Sequence, residues 1–196
     1  MELILRDLAP GQLTLEGRTV EGVVVPYDVP ADVADEHGPT PGEWAAYREV
    51  FTEVSFARQL AGIAARPDLL GAIGYKLEHT DDLRHRIGWT QAVQSTPAGL
   101  VARFALYPTA NLDLVRAMLT ESHRGMSLEA SLIKSRVRPD GVVERRTVVL
   151  RAVAAVPAAA YAGAGITAMR AADDDPGTPR PTPVLDAIAA RWGFTD

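Results

Sequence analysis

Two four-residue turns constrain this chain more than any other feature. Thr96-Pro97-Ala98-Gly99 separates strand-like runs over 87–96 and 100–107, and Arg138-Pro139-Asp140-Gly141 separates runs over 126–137 and 142–155. Proline with a following glycine closes a tight turn, so each pair of runs reads as an antiparallel hairpin. Further apolar stretches extend the β pattern. Residues 13–25 read as a strand pair or one long bent strand with Gly17 and Gly22 as turn or bulge positions, and 49–51 as a short extended piece. Residues 69–77 read as a buried strand running into Glu78-His79-Thr80-Asp81-Asp82. Helical signals are fewer. Ser55 is placed to cap a helix over 56–65 that ends before Pro67, and Leu112, Val115, Met118 and Leu119 lie at helical spacing over 111–121, with Thr109 or Asn111 as the cap. Pro26, Pro30, Gly38, Pro39, Pro41 and Gly42 predict an exposed loop over 26–44, and 158–164 reads as irregular. Together these predict an α+β fold: a mostly antiparallel β-barrel flanked by a few helices.

Composition bounds the function. A chain of 196 residues suits one core domain, expected over 1–170. Beyond it Asp173-Asp174-Asp175 and Pro176, Pro179, Pro181 and Pro183 predict a linker over 171–183. Val184, Leu185, Ile188 and Trp192 then mark a short amphipathic helix over 184–196, the end of a flexible tail. The absence of cysteine excludes disulfides, thiolate metal sites and a cysteine nucleophile. A net charge of −5 argues against a nucleic-acid partner. No apolar run has membrane-spanning length, and Glu2, Arg6 and Asp7 interrupt any signal-peptide pattern, so a soluble intracellular protein without a membrane partner is expected. Lys76 and Lys134 are the only lysines; the bias to arginine and alanine reads as a GC-rich coding sequence.

Without cysteine, nucleophilic chemistry falls to hydroxyls, lysine or carboxylates, and His37, His79, His85 and His123 are the groups that titrate near neutral pH. Ser127, in Gly125-Met126-Ser127-Leu128-Glu129, stands at the mouth of an expected strand after a glycine turn, and His79 ends another strand. A rival set, Glu78, His79, Asp81, Asp82 and His85, has carboxylates and imidazoles enough for a metal hydrolase. The spacing of His79 and His85 matches neither a helical pair nor an alternating strand pair, so no metal is expected. Gly163-Ala164-Gly165 lacks the lysine and strand-to-helix step of a phosphate loop, and no cofactor is expected.

Six segments in order carry a resemblance: Gly22-Val23-Val24-Val25-Pro26-Tyr27; Arg48-Glu49-Val50-Phe51 with Ser55-Phe56; Leu77-Glu78-His79 with Ile87-Gly88-Trp89; Gly99-Leu100-Val101-Ala102; Arg124-Gly125-Met126-Ser127-Leu128-Glu129; and Ala159-Ala160-Tyr161-Ala162-Gly163-Ala164. Over about residues 20–170 the chain resembles the prohead proteases of tailed bacteriophages, serine proteases similar to the herpesvirus capsid-maturation protease. The resemblance implies a herpesvirus-protease-like barrel, with His79 as general base and Ser127 as nucleophile. It implies capsid protein and scaffold as substrates, allows a homodimer, and puts the work inside an assembling procapsid in the host cytoplasm. Many relatives carry an acidic residue at the position that aligns with Ala152, where this chain has none. Glu129, Glu144 and His123 are the alternatives for a third member. A serine–histidine dyad, or a catalytically silent structural or scaffolding module of the same fold, stays open.

Overall fold

The computed structural model describes residues 18–80 and 82–170. The expected linker over 171–183, the expected helix over 184–196, Asp81 and the start of the 13–25 strand lie outside them. Nine strands and two α-helices follow in the order β1 (Thr19–Val25), β2 (Ala31–Asp35), β3 (Ala45–Phe51), α1 (Ala57–Ala65), β4 (Gly74–Leu77), β5 (Arg86–Thr96), β6 (Gly99–Leu106), α2 (Leu112–Glu121), β7 (Gly125–Val137), β8 (Val143–Val156) and β9 (Gly165–Arg170). Short 3-10 helices occupy Glu53–Ser55, Pro67–Ala72 and Leu83–His85. The α+β class is as expected. Both hairpins form, β5 with β6 and β7 with β8, antiparallel throughout.

The sheet runs β2-β3-β8-β4-β5-β6-β1-β9, with β7 on the other edge of β8. It is mixed and open where a closed barrel was expected. β3 and β4 both lie parallel to β8, and no ladder joins β7 to β9 among the described residues. The two ends do approach each other: Ile166 N–H donates to the Arg124 carbonyl at 2.8 Å. At Gly22, between them, a Cβ would stand 2.4 Å from the Gly165 carbonyl oxygen and 2.6 Å from Met126 Cε, so only glycine fits. β8 is long enough to serve two partners on one edge, β3 at Val143–Arg145 and β4 at Ala152–Ala155. Between them the Gln59 carboxamide takes the place of a strand, donating to the Leu150 carbonyl (2.9 Å) and accepting from Leu150 N–H (2.8 Å).

Four local expectations are corrected. The expected loop over 26–44 contains β2, whose Ala31-Asp32-Val33-Ala34-Asp35 alternation pairs with β3 between flanking prolines. The expected strand over 69–77 is mostly 3-10 helix, because Pro67 opens a helical turn and strand geometry begins only at Gly74. Ser55 is not the cap of α1: its hydroxyl accepts from Thr52 N–H and donates to the Arg145 carbonyl, and α1 starts after Phe56. β9 follows the irregular 158–164 segment and was not foreseen.

Val20, Val24, Phe51, Phe56, Tyr75, Leu100, Phe104, Leu106, Leu119, Met126, Leu150 and Val153 fill the core inside the curved sheet. Tyr75 and Phe104 stack at 4.1 Å between ring centroids. One buried polar network ties the far end together. Arg145 donates to Glu49 and Tyr47 (2.5 and 2.6 Å), and the Tyr161 hydroxyl donates to Glu49. Glu49 and Tyr161 belong to two of the segments that carry the family resemblance, so part of that signal is scaffold.

Candidate active site

Alternation along a strand sends successive side chains to opposite faces. Leu128, Val153 and Tyr75 share one rung of β7, β8 and β4, facing the core. The neighbouring rungs therefore face outward: Ser127, Ala154 and Lys76 on one, Glu129, Ala152 and Gly74 on the other. Ala154, Ala152 and Gly74 are small and buried, and Lys76 of β4 and Arg86 of β5 lie across them toward β7. Gly74 makes room here. Arg86 of β5 lays its guanidinium over this residue, with Nη2 3.0 Å from where a Cβ would stand.

His79 joins this face through a backbone turn. Glu78 holds a left-handed conformation (φ 61°) as the chain leaves β4, with its N–H on the Ala155 carbonyl at 2.9 Å. The reversal sends two adjacent side chains to different partners. His79 Nδ1 meets Glu129 Oε1 at 3.0 Å, and Glu78 Oε1 meets His123 Nε2 at 3.1 Å. An ionised carboxylate only accepts, so Nδ1 is the donor of His79 in this contact, which in the neutral ring places the lone pair on Nε2. Its imidazole is 45% exposed, open enough to meet a polypeptide from outside. Lys76 Nζ shares the same acceptor, Glu129 Oε1, at 2.8 Å and donates to the Thr80 carbonyl at 2.9 Å.

Of the residues expected at a site, His79 and Glu129 are in contact and Ser127 is two residues from Glu129 on the same face. Ser127 and His79 are not hydrogen-bonded to one another. His123 is buried at the end of α2, bonded to Glu78 and, through Nδ1, to Ser122 Oγ at 2.8 Å; it does not stand behind His79. Glu144 lies at the opposite end of the hairpin, about 30 Å along the strands at 3.3 Å per residue. There Arg146, Arg138 and Arg136 hold its carboxyl down at about 2. Three described members of the metal-hydrolase set go to different partners. Glu78 faces His123, His79 faces Glu129 and Asp82 pairs with Arg84, and no group of three such side chains could hold a metal among the described residues.

Lys76 was missed in the sequence. The signal that could have found it is its rarity, one of two lysines in an arginine-rich chain, on the strand that delivers His79. Ala152 shares a rung with Glu129 and is its cross-strand partner. No family model matches this chain, and none of the curated proteins matches it.

Proposed function

We propose that this protein is a serine endopeptidase that cleaves capsid or scaffold proteins during procapsid maturation, with Ser127 as nucleophile, His79 as general base and Glu129 as the group that orients the base. The observation that carries the reading is the 3.0 Å contact between Glu129 and His79 Nδ1, on the sheet face that also bears Ser127. The resemblance of the six ordered segments supplies the substrate class. On this reading the wrapped sheet is a form of the herpesvirus-type barrel left open between β7 and β9.

The chemistry follows the serine–histidine–acid pattern. For the reaction the Ser127 hydroxyl must come within hydrogen-bond reach of His79 Nε2, a contact that apo sites commonly leave long and tighten only with substrate bound. Ser127 Oγ then attacks the peptide carbonyl while its proton passes to His79 Nε2. Glu129 stabilises the imidazolium that forms. The same proton goes to the departing amine, leaving an acyl-enzyme on Ser127. Water, deprotonated by His79, cleaves that ester and restores the hydroxyl. Because Glu129 sits on the rung of Ala152, the acid reaches the histidine from β7 where relatives supply it from β8.

The runner-up is a catalytically silent scaffolding module, favoured by the alanine at position 152. Co-expression with the capsid protein separates the two. Ser127→Ala should leave capsid protein at full length where the wild type shortens it. Identical capsid patterns from the two, with normal assembly, would mean that the module works without cutting.

A further inference from the structure

We propose that Lys76 is a positioning residue of this site: it clamps Glu129 and the His79 turn together, and thereby fixes the tautomer of His79. The inference rests on the protease reading for its purpose but not for its geometry. Lys76 Nζ donates to Glu129 Oε1 at 2.8 Å, the oxygen that His79 Nδ1 also uses, and to the Thr80 carbonyl at 2.9 Å, one residue past His79. One ammonium thus bonds both the acceptor of the histidine and the backbone that carries it. Its side chain is 13% exposed against 45% for His79, so the clamp lies beneath the imidazole and leaves the solvent side to the substrate.

The alternative role for a lysine sharing a rung with a serine is to be the base itself. An ammonium held on a carboxylate has no lone pair to offer the Ser127 hydroxyl, whereas His79 Nε2 does. Several charged side chains stand around His79 among the described residues. Glu129 faces it from β7 and Lys76 from β4, while Glu78 turns to His123, Asp82 to Arg84, and Arg86 of β5 lies over Gly74. Lys76 therefore decides how firmly Glu129 holds the Nδ1 proton. An imidazole without that acceptor carries its proton mainly on Nε2, where it cannot take one from serine.

The nitrogen-15 chemical shifts of the His79 ring, measured at a pH where it is neutral, read this directly and need no catalysis. The wild type should show the proton on Nδ1. Lys76→Met, which keeps the length of the buried stem, should shift it toward Nε2, and Lys76→Arg should hold it on Nδ1. Lys76→Gln gives the same reading as the methionine variant should that one fold poorly. In capsid cleavage, Lys76→Met should lower kcat about tenfold with KM within about twofold, the pattern of a lost transition-state arrangement. A neutral side chain at position 76 with the Nδ1 proton fully retained would overturn the proposal. A tautomer shift in a protein that cuts no capsid substrate would sink the protease reading and leave the clamp standing.

Discussion

At the scale of single residues, Glu129 does two things that its sequence position alone does not announce: it meets His79 and it meets Lys76, through one oxygen. Removing its charge with Glu129→Gln should lower kcat by about 10²–10⁴, the range for losing the orienting acid of a triad, with the melting temperature little changed. Glu144 makes the contrasting case. Its carboxyl is held at about 2 against an ordinary 4.5, so its ion pairs with Arg146, Arg138 and Arg136 stabilise the fold fully above pH 4.5. That contribution fades as pH falls from 4.5 toward 2. Glu144→Gln should cost about 2 kcal/mol near neutrality and flatten the acid loss of melting temperature across that window, without touching the chemistry of Ser127. Tyr75 offers a third residue-level test. Its hydroxyl is buried with no hydrogen-bond partner among the described residues, and burial pushes its pKa well up. Tyr75→Phe keeps the stack on Phe104 and removes an unsatisfied group, so thermal melting should show a gain of about 1 kcal/mol.

Among the elements, β8 organises the proposed site by standing between β7 and β4, with alanines at the positions that Lys76 crosses to reach Glu129. Ala152 shares its rung with Glu129 and Gly74, and Arg86 and Lys76 stand on the same face. A carboxylate at 152 would therefore meet cations and not an apolar core. The double variant Glu129→Ala with Ala152→Glu should recover cleavage that Glu129→Ala loses, because it restores an acid one strand over on the same rung. A folded double variant as inactive as the single one would show that position 152 cannot reach His79. Legibility follows the same elements. The two hairpins were plain in the sequence because a turn with proline and glycine brackets long β-branched runs. β4 was overestimated because Leu69 and Leu70 are as apolar in a 3-10 turn as in a strand, and β2 was missed because prolines flank its short edge strand. Ser127, His79 and Glu129 were nameable from order and alternation. Lys76 was not, since its role depends on β4 lying two strands from β7, a pairing that no local pattern contains.

For the whole molecule, the open sheet holds a buried polar network at one end and the proposed site at the other. Arg145, Glu49, Tyr47 and Tyr161 lock the end where β3 meets β8, while His79, Glu129, Lys76 and Ser127 gather where β4 meets β8. No helix of the described residues is long and apolar enough to cross a membrane. The proposed site lies on the outer face of the sheet with His79 half exposed, which fits the proposed polypeptide substrate better than a small molecule in a pocket. The most direct test of the central claim is labelling of the purified full chain with a fluorophosphonate, followed by peptide mapping. A single adduct should form on Ser127, at least about tenfold more slowly in His79→Gln and in Glu129→Gln. No adduct on Ser127, or an adduct on Ser122 beside His123 instead, would contradict the claim.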